Sequence, residues 1–203
     1  ECIRPIWKME DLFTVKVPVK FSATATAFVG DAYPEPANVP FGYHAATPEG
    51  AVEGDVEKVI ECTESLPFKY AATVDDITTW YYMQMHANNK KYIQYVEGAS
   101  NIEWADAEIA EGEEDSYTWA FVGDPANGFK LVNRAAGIEK AVCSDGNTAP
   151  ALGAFADAVV WKPAYSKETG NDAYFCLQYP GSSNYMNAQN GKVAYWNDND
   201  AGS

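Results

Sequence analysis

Tyr185, Asn187, Tyr195, Trp196, Asn197 and Asp198 gather rings, amides and a carboxylate near the end of the sequence. These residue types together can hold a sugar. The apolar C–H face of a pyranose rests on an aromatic ring, while a carboxylate and amides take the neighbouring hydroxyls. On this reading Trp196 is the platform, Asp198 the hydroxyl acceptor, Asn197 and Asn187 the supporting amides, and Tyr185 an alternative ring. A second reading starts from strand geometry. Successive residues face opposite sides of a strand, so Tyr185 and one of Tyr195 and Trp196 would belong to the core instead.

Little else in the chain is arranged for chemistry. GxSxG, HExxH, the P-loop and GxGxxG are all absent, which removes the usual nucleophile, zinc and phosphate motifs. The two histidines, His44 and His86, fall in different proposed domains and read as structural or surface groups. Paired carboxylates for glycoside hydrolysis are defined by separation in space, not by abundance, and no catalytic residue is assigned. The acidic stretch Glu97 to Ser116, with Glu103, Asp106, Glu108, Glu111, Glu113, Glu114 and Asp115, lacks the ligand spacing of a calcium loop and reads as solvated. Glu108 to Glu111 could make one helical turn. Asn197 to Gly202 opens like a calcium loop without its closing Glu, and Ser144 to Asn147 reads as a turn. Cys2, Cys62, Cys143 and Cys176 are widely spaced, with no CxxC pair. They give no zinc site and leave the disulfide question open. No metal and no cofactor is expected.

The balance of charge narrows the partners. A net charge of -15 with pI near 4.4 argues against nucleic acid and anionic membrane surfaces, which need clustered Lys and Arg. No apolar run is long enough to span a bilayer, so membrane insertion is not expected. Aromatic residues make up 14%, including 13 Tyr and 6 Trp. That suits a β-rich core and also surfaces that stack on sugar rings.

At 203 residues the chain has length for two small domains, which we place at 1–72 and 73–203. The first opens with Phe13 to Phe21, where Phe13, Val15, Val17, Val19 and Phe21 alternate with polar residues and Pro18, the pattern of an edge strand. A turn at Gly30-Asp31, an irregular stretch from Tyr33 to Pro40, and strands at Phe41 to Ala45 and Val56 to Thr63 complete a small antiparallel β unit, sandwich or grasp-like.

The second domain must position the candidate site, and it repeats. Three segments open with short strands, Met83 to Met85, Phe129 to Leu131 and Phe175 to Leu177. Each continues through a polar turn to a second strand at Tyr92-Ile93, Ala141-Val142 or Tyr185-Met186. The spacing is about 45 residues, a period typical of repeat architectures. Copies one and two end in aromatic strands, Tyr117 to Val122 and Val159 to Lys162, whereas copy three stops at Ser203 before any such strand. The chain therefore reads as a fragment whose first trefoil strand, near Trp80 to Met85, would be left as an open edge.

Three copies of four short strands with aromatics at corresponding places resemble the ricin-type β-trefoil. The resemblance covers about Trp80 to the end, and Tyr117-Thr118-Trp119 and Val159-Val160-Trp161 stand where that family carries Gln-x-Trp. It implies an all-β, lectin-like module in which an Asp, an aromatic and an Asn of one copy bind carbohydrate. Copy three retains candidates for all three. A small β domain followed by such a block also looks like accessory regions of gut-bacterial surface proteins. The expectation is a non-catalytic carbohydrate-binding module, secreted or at the cell surface. Its partners would be a glycan or polysaccharide and other domains of the same longer chain. The alternatives are a structural or adhesive spacer, or the accessory part of a larger glycan-active hydrolase or peptidase.

Overall fold

The computed structural model of the chain describes residues 19–22, 42–45, 49–50, 59–64, 66–86, 91–99, 101–105, 108–167, 175–189, 192–200 and 203. Its architecture is predominantly β, with sheets in which every described strand pairing but one is antiparallel. The chain divides into two compact units, 1–68 and 69–203.

In the first unit, strands β1 (Val19–Ser22), β2 (Tyr43–Ala45) and β3 (Val59–Glu64) form one antiparallel sheet in the order β1-β3-β2. The ladder pairs Val19 with Cys62 and Tyr43 with Glu64. These strands overlap the three stretches read as strands, β1 and β3 each running one residue further. The expected Gly30-Asp31 turn, the Tyr33 to Pro40 stretch and the opening strand from Phe13 to Pro18 lie outside the described residues.

The second unit begins with β4 (Tyr70–Ala71) and β5 (Tyr81–Tyr82), both of which pair with β8 (Thr118–Asp124). β9 (Gly128–Asn133) returns antiparallel along β8. The turn between them is tied by Asp124, whose carboxylate accepts the backbone N–H of Ala126 and of Asn127, each at 2.9 Å. These bonds hold the Asp124 carboxyl below the usual carboxylate range, with the Asn127 side-chain amide contributing most. At Gly128 the backbone is left-handed (φ 104), and a Cβ there would meet the Trp161 carbonyl oxygen at 2.5 Å. The close approach lets Phe129 and Trp161 exchange two backbone bonds, 2.9 and 2.8 Å.

Three hairpins surround this centre. They are β6 (Tyr92–Gln94) with β7 (Glu103–Ala105), β10 (Lys140–Cys143) with β11 (Ala151–Ala154), and β14 (Tyr185–Gln189) with β15 (Lys192–Trp196). β12 (Lys162–Tyr165) pairs antiparallel with β13 (Phe175–Gln178), and β13 leads into β14 through Gln178 opposite Tyr185.

Thr118 to Val122 are all buried, because β8 is covered on both faces. On one side Phe121 meets the rings of Tyr81, Phe129 and Phe175, at 6.1, 6.1 and 6.2 Å between centroids. On the other, Val122 packs with Ala71, Val132, Ala141 and Ala158. The Trp119 indole N–H donates to the Ile93 carbonyl at 3.0 Å, which fastens β6 to the centre. Of the apolar residues in the segments read as opening the three copies, Phe129, Leu131 and Leu177 are buried, while Met83, Met85 and Phe175 are half-buried.

Three local expectations change. The opening strand of copy one lies at Tyr81–Tyr82 and not at Met83 to Met85, where Gln84 forms only an isolated bridge with Tyr92. The helical turn lies at α1 (Glu114–Tyr117), not at Glu108 to Glu111. The Ser116 hydroxyl donates to the Glu113 carbonyl and the Asn133 side-chain amide donates to the Ser116 carbonyl, so contacts with β9 choose the position. The strand expected at Val159 to Lys162 begins later, at Lys162, with Trp161 as an isolated bridge. Val159 is drawn aside because its N–H donates to the Val142 carbonyl at 3.0 Å.

Candidate functional site

The β14–β15 ladder orders the candidate residues. It places Tyr185 opposite Trp196, Met186 opposite Tyr195 and Asn187 opposite Ala194. Directly opposed residues share a face and alternate faces along each strand. Tyr185, Asn187 and Trp196 therefore lie on one face of the hairpin, and Met186 and Tyr195 on the other.

The second face is the core side. Met186 is buried. The Tyr195 ring stacks on Trp161 and meets the edge of Tyr179 at 6.0 Å, and its hydroxyl donates to the Ser144 hydroxyl. Burial pushes the Tyr195 phenol up to about 12, against the opposing effect of the Ser144 bond. The Trp196 side chain goes the other way and is 44% exposed. Tyr185 is half-buried and Asn197 exposed. Consecutive aromatics at the end of β15 thus divide the work. Tyr195 packs the hairpin down, and Trp196 is presented to solvent.

Asn187 and Asp198 have neighbours of their own. Asn187 is 8% exposed, and its amide donates to the Ser203 hydroxyl at 2.9 Å. That hydroxyl in turn donates to the Asp198 backbone carbonyl at 2.7 Å. Asn187 is therefore a support beneath the turn that follows β15. The Asp198 carboxylate forms an ion pair with Lys167, both side chains being about half exposed. Beside it, the Lys167 N–H and the Ser166 hydroxyl both donate to the Asn199 carbonyl, at 3.1 and 3.2 Å, and the Asn199 amide donates to the Tyr165 carbonyl at 2.7 Å.

Trp196, Asn197 and Asp198 thus form an exposed rim with Tyr185 across the ladder and Asn187 underneath. Lys167 and Ser203 belong to the same arrangement, and sequence reasoning missed both. Lys167 comes from the end of the preceding repeat, and no local spacing links it to Asp198. The corresponding ladder positions elsewhere lack an aromatic pair. Tyr92 stands opposite Ala105, and Ala141 opposite Gly153.

The remaining sequence candidates stay apart from this rim. His86 is exposed in its turn, and the His44 side chain lies outside the described residues. Among the described residues no group of three or more His, Cys, Asp or Glu could hold a metal ion. Cys143 and Cys176 are free thiols, and burial raises both, Cys176 to about 11. No described helix is long and apolar enough to cross a membrane. No protein-family model matches the chain, and no curated protein or solved structure is significantly similar to it.

Proposed function

We propose that this chain is a non-catalytic carbohydrate-binding module of a secreted or cell-surface protein, with a second unit that is a ricin-like β-trefoil. The observation that carries the binding proposal is Trp196, a large ring 44% exposed directly across the ladder from Tyr185. Single exposed apolar residues are ordinary. A tryptophan flanked by a second ring, a carboxylate and an amide on one rim is the composition a pyranose needs. Trp196 is the stacking platform, Asp198 the hydroxyl acceptor, Asn197 an amide at the rim and Tyr185 the flanking ring. Asn187 acts from beneath, by holding the turn.

The trefoil part of the proposal rests on three hairpins, 92–105, 140–154 and 185–196. The strand closing one copy pairs with the strand opening the next, β8 with β9 and β12 with β13. Phe121 adds support, since it gathers Tyr81, Phe129 and Phe175 from the starts of three successive copies.

A structural or adhesive spacer is the competing reading. It is favoured by the internal partners that Asn187 and Asp198 already have. Electrophoresis of the chain through gels cast with neutral polysaccharides separates the two: a binding module is retarded in at least one gel and a spacer in none.

A further inference from the structure

Lys167 enters the rim from outside the hairpin, yet its position is built. Three bonds fasten residues 165–167 to Asn199: Lys167 N–H to the Asn199 carbonyl, Ser166 hydroxyl to the same carbonyl, and the Asn199 amide to the Tyr165 carbonyl. Ser203 braces the opposite side of the turn through the Asp198 carbonyl and Asn187. Asp198 is held between these two fastenings. The Lys167–Asp198 pair therefore follows from backbone placement as well as from the reach of a flexible lysine.

Resting on the carbohydrate reading above, we infer that the rim selects uncharged sugars and that Lys167 sets this selectivity. An ammonium only donates hydrogen bonds and a carboxylate only accepts them. Side by side, they match two neighbouring hydroxyls of one ring: the first gives its proton to Asp198, and the oxygen of the second accepts from Lys167. An acidic sugar keeps its hydroxyls but adds a charge that upsets this match. Its carboxylate or sulfate competes with Asp198 for the ammonium while lying close to Asp198 itself, on a chain of net charge -15. Discrimination of this kind comes as much from the repulsive contact offered to the wrong ligand as from attraction to the right one.

The test uses the full chain on an array of neutral hexosides and the same cores carrying sialic acid, glucuronate or sulfate. The wild type should bind the neutral cores at least about tenfold more strongly than their acidic derivatives. Lys167→Met should weaken neutral binding about fivefold, with Lys167→Arg restoring it. Asp198→Asn removes the negative charge beside the ammonium and should shift the preference toward acidic cores by about tenfold. Acidic cores bound as well as neutral ones, with Trp196→Ala losing both, would end the charge selectivity and spare the ring platform. Unchanged neutral binding by a folded Lys167→Met variant would assign the ion pair to structure alone and overturn the role of Lys167. A wild type that binds no printed sugar would end the carbohydrate reading, and this inference with it.

Discussion

Trp161 and Tyr195 lie almost parallel, their ring centroids 6.2 Å apart and their planes 13° apart. This contact decides which way the end of β15 faces. Trp161 is fully buried and bonded to Phe129 through the backbone, so Tyr195 is drawn inward and Trp196, next along the strand, is turned out.

The two aromatics should therefore separate in stability. Tyr195→Ala removes a ring stacked in the core and should cost about 3 kcal/mol, with Trp161→Ala reaching about 3 to 5 kcal/mol. Trp196→Ala should lie within about 0.5 kcal/mol of the parent. Urea unfolding at pH 7 reads all three, and a Trp196→Ala loss as large as that of Tyr195→Ala would mean that Trp196 is a core residue.

Alkaline pH should weaken the fold. Burial raises the Tyr195 phenol from 10.0 to about 12 and the Cys176 thiol from 9.0 to about 11. Both groups hold their protons more tightly folded than unfolded. Their contribution is fully present below the unfolded values and is lost as pH rises, between about 9 and 11 for the thiol and between about 10 and 12 for the phenol. Melting temperature should fall from about pH 9 upward, and Tyr195→Phe should flatten the decline above about pH 10. An identical slope in that variant would contradict the buried phenol.

Asp124 makes the opposite prediction at acid pH. Its carboxyl is held below the ordinary value by Asn127 and Ala126, so its contribution is present above the unfolded value of 3.8 and is lost as pH falls through the lower folded one. Asp124→Ala should cost about 1 kcal/mol at pH 7, and the gap between variant and parent should narrow as pH drops below about 4. A pH-independent gap measured by urea unfolding would assign the effect to turn propensity instead of the charged acceptor.

The strands were legible where local pattern and tertiary demand agree. Phe129 to Leu131 and Phe175 to Leu177 fall inside β9 and β13, since apolar residues flanked by turn residues leave a short buried strand few alternatives. Pattern failed where a distant partner chose the position. Asn133 holds the helical turn at Ser116, and Val142 draws Val159 out of the expected strand. At the rim, residue types identified Trp196 and Asp198, but adjacent Tyr195 and Trp196 could not be told apart without Trp161. Lys167 carried no local signal, because an ion pair between residues 167 and 198 exists only once β12 and β15 have been brought together.

The most direct measurement is calorimetric titration of the chain and its Trp196→Ala variant with a neutral glycan that retards the parent in gels, with melting temperatures recorded in parallel. Affinity should fall at least about tenfold in the variant, the scale of one aromatic contact, at an unchanged melting temperature. Binding that survives in a folded Trp196→Ala variant would place the sugar elsewhere and contradict the site.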